Sequence, residues 1–319
     1  MMQKVKVAFV GAGNMAKEHA RAFASLPGVV LAGVCSRSRE SGERLASTYR
    51  DMVVCDSIDE LYHLTQAEIV VVAVQILAMK GVAEACFAHP WVVLLEKPAG
   101  HDLKEAKAIL DAADKSGNPV YVALNRRSYS ATKQAADALA LALDTGPRFI
   151  KVLDQQDQLI ARDMHHEPPE IVKNYMYANS IHLIDYFRVF GRGEITKVEV
   201  IEPWDPAEPG VVLAKVKFSS GDIGLYEGVW NGPGPWAVSV VTPQSRVEMR
   251  PLEQVSLQSR GERKVHLLET SPNDDAFKPG LRLQAQYAIA AVRGEPNELP
   301  TLHDAFKSMQ LVAQIFGLL

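Results

Sequence analysis

The sequence predicts an α/β chain in which residues 1–124 form a doubly wound parallel sheet and residues 125–319 an α+β half with a large mixed or antiparallel sheet. Three observations predict it. From Lys4 to Leu124 short Val/Ile/Leu runs alternate with amphipathic stretches of helix length, the sequence form of βαβ units. Those runs are almost continuously apolar, as strands covered by helices on both faces require. After Ala123 the rhythm changes to runs of alternating polarity, which fit a sheet with only one face against helices.

In chain order, strands are expected at Val5–Val10, Val29–Val34, Ile69–Val74, Val92–Leu95 and Val120–Ala123, where β-branched residues cluster. The 3.6-residue apolar period places helices at Met15–Leu26, Arg39–Tyr49, Ile58–Leu64, Leu77–Ala88 and Leu103–Ser116. The second half starts with a helix over Ala131–Leu143 and a strand over Phe149–Asp154. An irregular polar segment, Gln155–Asn174, separates these from a strongly helical Ser180–Phe190. Alternating strands follow at Lys197–Ile201, Val211–Phe218, Asp222–Trp230, Ala237–Val241 and Ser245–Met249, with Ser219-Ser220-Gly221-Asp222 as a hairpin turn. Helices near Phe277–Arg293 and Leu302–Phe316 close the chain, and these last helices can pack back on the first domain.

A length of 319 residues with 47% hydrophobic and 23% charged residues allows two domains with substantial cores. The net charge of −4, with acids and bases intermixed, offers no basic stripe, so nucleic acid is not an expected partner. Cys35, Cys55 and Cys86 are odd in number and sit in or beside apolar runs, which fits reduced thiols and a cytoplasmic location. No signal-peptide pattern opens the sequence. The longest apolar stretch, Ile69–Met79, is interrupted by Gln75 and falls short of the about 20 residues a membrane helix needs, so no membrane association is expected.

Directly after the first strand stands Gly11-Ala12-Gly13-Asn14-Met15-Ala16, followed at once by a helix. A G-x-G-x-x-A in that setting is the dinucleotide fingerprint of the Rossmann arrangement. Gly11 allows the tight turn, Gly13 lets backbone N–H groups approach a pyrophosphate, and Ala16 lets helix and strand pack closely. The helix N-terminus, beginning at Asn14 and Met15, adds unpaired donors and a partial positive charge. An acidic residue at the end of the second strand holds the ribose 2′-hydroxyl in NAD-specific sites. Here that place reads Cys35-Ser36-Arg37-Ser38, and Ser36 and Arg37 are suited to a 2′-phosphate. NADP is favoured as the cofactor, with NAD the alternative.

The strand ending at Leu95 runs into Glu96-Lys97-Pro98, at the carboxyl edge where parallel sheets bind ligands. This E-K-P tract, the glycine loop and a later His182-Leu183-Ile184-Asp185 together resemble the glucose-fructose oxidoreductase / inositol dehydrogenase / rhizopine-catabolism family, Gfo/Idh/MocA, over the whole chain in order and size. The resemblance implies an N-terminal Rossmann domain, a C-terminal domain on a large mixed sheet, and NAD(P)-dependent oxidation or reduction of sugars, inositols or related compounds. It implies that Lys97, with Glu96 beside it, contacts the nicotinamide ribose and substrate, and that His182 is the acid/base. Alcohol oxidation needs a base near the hydroxyl, and histidine titrates closest to neutrality. Many members carry an Asp one helical turn before the histidine, but that place here holds Ala178, with Tyr177 and Asn179 as neighbours able to substitute. A histidine among Ile181, Leu183, Ile184 and Phe187 also fits a satisfied helix residue without any catalytic role.

Further substrate candidates are Asn125 and Arg127, past the strand ending at Ala123, with Arg127 able to orient a carboxylate or phosphate or to form a salt bridge. Arg162, His165 and His166 lie in the polar segment and could line the pocket. Adjacent histidines point apart in extended chain, so Asp163–Glu167 is not expected to bind metal. Tyr175 and Tyr177 could reach the same pocket. Trp204, Trp230 and Trp236 fall in the sheet region, a plausible surface for a homodimer or homotetramer. The function expected is hydride transfer between a nicotinamide and a sugar, cyclic polyol or sugar nucleotide. Two rivals stand beside it: a cofactor-binding sensor or scaffold without turnover, and a redox-neutral hydrolase or lyase that retains its NAD.

Overall fold

The computed structural model describes residues 4–141 and 146–319. The chain forms two compact units: Met1–Asn125 with Asp275–Phe306, and Arg126–Asp274 with Lys307–Leu319.

The first unit holds a six-stranded, wholly parallel sheet in the order β3-β2-β1-β4-β5-β6. Its strands are β1 (Val5–Val10), β2 (Val29–Cys35), β3 (Val53–Cys55), β4 (Ile69–Val72), β5 (Val92–Leu95) and β6 (Val120–Val122). Strand β3 was not expected: three residues with an exposed Val53 are too short for a periodic signal. The helices are α1 (Asn14–Ala24), α2 (Arg39–Ala46), α3 (Ile58–Thr65), α4 (Met79–Phe87) and α5 (Leu103–Ser116). Side chains of Ser38, Ser57 and Asp102 cap α2, α3 and α5 by accepting a backbone N–H three residues on. The stretch expected as one helix from Leu77 starts instead as a 3₁₀ turn, Ile76–Ala78. All four residues of β4 and of β5 are buried, as double helical cover demands. Leu281, Ala285, Ala288 and Ile289 of a late helix, Leu281–Val292, join the core of Phe9, Phe23, Val34, Ile69 and Leu94. Strand order reverses between β1 and β4, which opens a crevice at their carboxyl ends.

The second unit is built on a mixed eight-stranded sheet in the order β14-β13-β12-β11-β7-β10-β9-β8. The strands are β7 (Phe149–Gln156), β8 (Ile195–Glu202), β9 (Val211–Phe218), β10 (Ile223–Trp230), β11 (Ala237–Val241), β12 (Ser245–Met249), β13 (Val255–Ser259) and β14 (His266–Leu268). Every pairing is antiparallel except the central β7–β10 pair. The long connection between those two strands supplies the crossover that parallel pairing needs. Strands β13 and β14 went unforeseen, because their burial does not alternate. Strands β7, β9 and β10 alternate strictly between buried and half-exposed positions, so one face of the sheet is core.

Helix α6 (Ser130–Leu141) precedes β7; positions 142 and 143 of its expected extent lie outside the described residues. The segment expected to be irregular from Gln155 contains the end of β7 and two short helices, α7 (Gln158–Asp163) and α8 (Pro169–Lys173). Asp157 caps the first, and Pro169 starts the second at a position where its missing N–H is harmless. The expected Ser180–Phe190 helix is in fact a π-turn, Met176–Ser180, followed by α9 (Ile181–Ile184) and α10 (Tyr186–Phe190). Phe187 packs against Gly224, where a β-carbon would stand 2.6 Å from the ring. Glycine there lets α10 approach β10 closely.

Candidate active site

The crevice between β1 and β4 is a pocket of about 450 Å³ lined by Gly11, Ala12 and Gly13, by Cys35 to Ser38 after β2, and by Ala73, Val74 and Gln75 after β4. The two glycines serve it in different ways. Gly11 has φ +103°, and a β-carbon there would lie 2.1 Å from the Ala73 carbonyl oxygen. Only glycine lets the ends of β1 and β4 close on each other. Gly13 has an ordinary φ of −75° and a β-carbon would meet nothing within 4 Å. Its bareness therefore leaves space in front of the α1 N-terminus rather than relieving a clash. Ala16 is fully buried, Met15 packs on the core, and Asn14 is exposed at the helix start.

Gly11–Ala16 thus forms a bare cradle at a helix N-terminus, the geometry a pyrophosphate fits. At the rim Ser36 donates to the Ser38 carbonyl (3.0 Å), and Arg37 reaches the Gln75 side chain at 3.3 Å. No acidic side chain lines the pocket. Arg39, by contrast, is held by Glu43 and Asp56. Cys35 also faces the pocket, and burial pushes its thiol pKa up, helped by the negative charges of Asp56 and Glu60.

Lys97 follows β5, two strands from β1, and is half-buried; its peptide bond to Pro98 is cis. Neither Lys97 nor Glu96 lines the pocket, and Glu96 is engaged elsewhere. Its buried carboxylate takes a 2.6 Å hydrogen bond with His19 of α1 and accepts from the Lys97 backbone N–H at 3.2 Å. It anchors the start of the Lys97 turn to α1. Asn125 is likewise spent inside the first unit, its amide donating to the Pro279 carbonyl at 3.1 Å.

In the second unit His182 is buried on α9, its ring 6.3 Å from that of Trp236, and the Arg126 guanidinium lies 4.7 Å from the centroid of the same indole. Trp236 is fixed by donating to the Gln155 carbonyl at 2.6 Å. Tyr177 and Ala178 are buried in the π-turn, and Asn179 is half-buried there. Arg127, expected to orient substrate or form a salt bridge, makes a bidentate pair with Asp185, 2.7 Å on both arms, and Asp185 accepts from Ser308 at 2.5 Å. The Asp of His182-Leu183-Ile184-Asp185 therefore ties α9 to the chain entering the unit. Arg162 is exposed and paired with Asp163, and His165 and His166 are exposed as well. Among the described residues no group of three or more His, Cys, Asp or Glu side chains could hold a metal.

The same unit contains residues that the sequence reasoning missed. Asp154 of β7 is completely buried, accepts from the Tyr226 hydroxyl at 2.8 Å and from the Gln156 amide at 2.5 Å, and has its pKa pushed up to about 6. Burial raises it, while Ser180, Tyr226, Gln156 and the charge of Arg126 oppose the rise. Gln156 in turn accepts from Asn179 at 2.8 Å.

Residues 5–124 match the sequence profile of the GFO_IDH_MocA family, described as an oxidoreductase family with an NAD-binding Rossmann fold. Comparison with curated protein sequences finds no match. Among solved structures, the chain is similar to a dehydrogenase from Chromobacterium violaceum at 18% identity and TM-score 0.85, covering 100% of this chain and 96% of that one. It is similar to levoglucosan dehydrogenase in complex with NADH and levoglucosan at 16% identity and TM-score 0.81, with 99% and 97% covered. UDP-N-acetylglucosamine 3-dehydrogenase from Acidithiobacillus ferrooxidans matches at 16% identity and TM-score 0.77, with 99% and 98% covered. At such identities the likeness is one of fold. A glycine cradle at the switch point of a parallel sheet and a profile match along that same stretch make residues 5–124 similar to the NAD-binding Rossmann domain of the Gfo/Idh/MocA oxidoreductase family.

Proposed function

We propose that this chain transfers a hydride between a nicotinamide dinucleotide and an alcohol carbon of a sugar, cyclic polyol or sugar nucleotide. The observation that carries the reading is the Gly11–Gly13 cradle with the Ser36–Arg37 rim in one pocket. Gly11, Gly13 and the α1 N-terminus hold the pyrophosphate. Ser36 and Arg37 take a 2′-phosphate, and the absence of a carboxylate from the lining favours NADP(H) over NAD(H). Bound there, the nicotinamide supplies the hydride acceptor or donor. Lys97 and His182 are assigned the proton: as hydride leaves the alcohol carbon, one of these bases takes the hydroxyl proton, and in the reverse direction returns it. Asn125, Arg127 and Glu96 are engaged inside their own units; the further substrate candidates are Tyr177, Asn179, Arg162 and His165.

The carbohydrate class is supported by relatives whose names place them on levoglucosan and on UDP-N-acetylglucosamine. A homodimer or homotetramer through the outer face of the eight-stranded sheet is supported by half-exposed Leu153, Leu213, Leu225 and Val229 on its central strands. No helix among the described residues is long and apolar enough to cross a membrane, and the three cysteines are free thiols, which suits a reducing cytoplasm.

The test is titration with NADPH and NADH, followed by reduced-nicotinamide absorbance against polyols, aldoses, keto-sugars and sugar nucleotides. Turnover that falls by about 10² or more in Lys97→Ala and in His182→Ala supports the assignment. Tight cofactor binding without turnover favours the sensor reading that Ala178 motivates. Retained cofactor whose redox state is unchanged across turnover favours a redox-neutral hydrolase or lyase.

A further inference from the structure

We propose that Asp154 is a positioning residue that acts through Gln156 to fix the Asn179 side-chain amide with its carbonyl oxygen available to a substrate hydroxyl. The inference rests on the carbohydrate reading for its last step only.

An ionised carboxylate only accepts. Asp154 therefore takes the NH₂ end of Gln156, which turns the Gln156 oxygen the other way. That oxygen meets Asn179, which must present its own NH₂ at 2.8 Å. The same NH₂ lies 3.4 Å from the Tyr175 hydroxyl. What remains of Asn179 is its carbonyl oxygen, which accepts no hydrogen bond among the described residues. Asn179 is half-buried on the π-turn, three residues before His182. A π-turn is a widened turn that recurs at functional sites.

The backbone is shaped to hold this arrangement. Asp154 and Gln156 share the buried face of β7, where Ile150 and Val152 precede them. Asp154 is in register with Gly228 of β10, and a β-carbon on Gly228 would lie 2.8 Å from the Tyr226 hydroxyl. Glycine there leaves room for the phenol to donate to Asp154.

The groups facing Asp154 are Gln156 on its own strand, Tyr226 on β10, Ser180 on the π-turn and Arg126 ahead of α6. The Tyr226 and Ser180 hydroxyls can donate as well as accept, so only the ionised carboxylate makes the NH₂ end of Gln156 obligatory. When Asp154 takes a proton it can donate, and the demand on Gln156 disappears. The relay therefore holds above about pH 6 and loosens below it.

The relay is read without substrate. In the full chain, ¹⁵N side-chain amide resonances of Gln156 and Asn179 are followed by NMR from pH 4.5 to 8. Both should move with one shared midpoint. In Asp154→Asn that shared transition should be absent, and in Gln156→Leu the Asn179 signal should stop titrating while the protein stays folded. Tyr226→Phe, which removes a donor to the carboxylate, should move the midpoint upward. An Asn179 amide that does not titrate with Gln156, or a transition that survives in Asp154→Asn, overturns the proposal. For a substrate identified by turnover, Asp154→Asn should raise KM several-fold, up to about tenfold for a lost oriented hydrogen bond, with kcat changed less. An unchanged KM for such a substrate removes the substrate step from the proposal. If no carbohydrate is turned over, the carbohydrate reading fails while the resonances still decide the relay.

Discussion

Replacing each glycine of the cradle by alanine should separate folding from cofactor binding. In Gly13→Ala the backbone, at φ −75° and ψ −172°, suits any residue, and the methyl meets no atom within 4 Å. Reduced freedom of the unfolded chain contributes about 0.4–1 kcal/mol, set against a similar loss at the helix cap, so the fold should stay within about 1 kcal/mol of wild type. The methyl nevertheless occupies the space in front of the α1 N-terminus, and NADPH affinity should fall about tenfold or more, equivalent to about 1.4 kcal/mol. Gly11→Ala is the converse. Its φ of +103° disfavours any side chain, and the new carbon would stand 2.1 Å from a backbone oxygen that no rotamer can move. Strain of about 1–3 kcal/mol adds to the separation of two strand ends, for a loss of about 3 kcal/mol. That loss lowers Tm by roughly 6–12 °C. Thermal unfolding with and without NADPH, together with calorimetric titration, measures both effects. Wild-type affinity in Gly13→Ala, or wild-type Tm in Gly11→Ala, would refute the division of labour between the two glycines.

Arg37→Ala should weaken NADPH by about tenfold to a hundredfold, the worth of a charge-assisted hydrogen bond, while NADH changes less than twofold; parallel fluorescence titrations decide it. Arg127→Met leaves the Asp185 carboxylate, 5% exposed, without its bidentate partner, and urea denaturation should show a loss of about 3 kcal/mol. Asp222 has a pKa of about 2: burial alone would raise it, but Arg192 and the backbone N–H groups of Arg148 and Arg192 outweigh that. A depressed acid stabilises the fold above its unfolded value, so this contribution should be present above about pH 4 and lost as pH falls toward 2, more steeply in wild type than in Asp222→Asn.

The N-terminal architecture was legible because its determinants are local. A glycine loop between a buried strand and a helix states its geometry within a few residues, and the apolar runs of β4 and β5 are unbroken, that of β1 interrupted only at Lys6. The short β3 and the sheet's last strands, β13 and β14, escaped notice because their burial follows no period. Site residues were harder to read where the same side chain could face inward or outward. Arg127 and Asn125 have the chemistry of substrate ligands, and the structure gives both to internal partners, an aspartate and a backbone carbonyl.

One signal in the second unit could have been used. Ile150 and Val152 set an inward-facing alternation on β7 that continues onto Asp154 and Gln156, so two polar side chains occupy positions the pattern assigns to the core. Burying a carboxylate without partners costs several kcal/mol, so such a placement itself predicts a network of donors. It does not say which donors. Tyr226 stands 72 residues further along the chain and Asn179 lies 23 residues beyond Gln156, on a turn that departs from the expected helix. The strand pattern therefore announces that a buried acid needs satisfying, while only the pairing of β7 with β10 and the shape of the π-turn determine that its effect reaches Asn179.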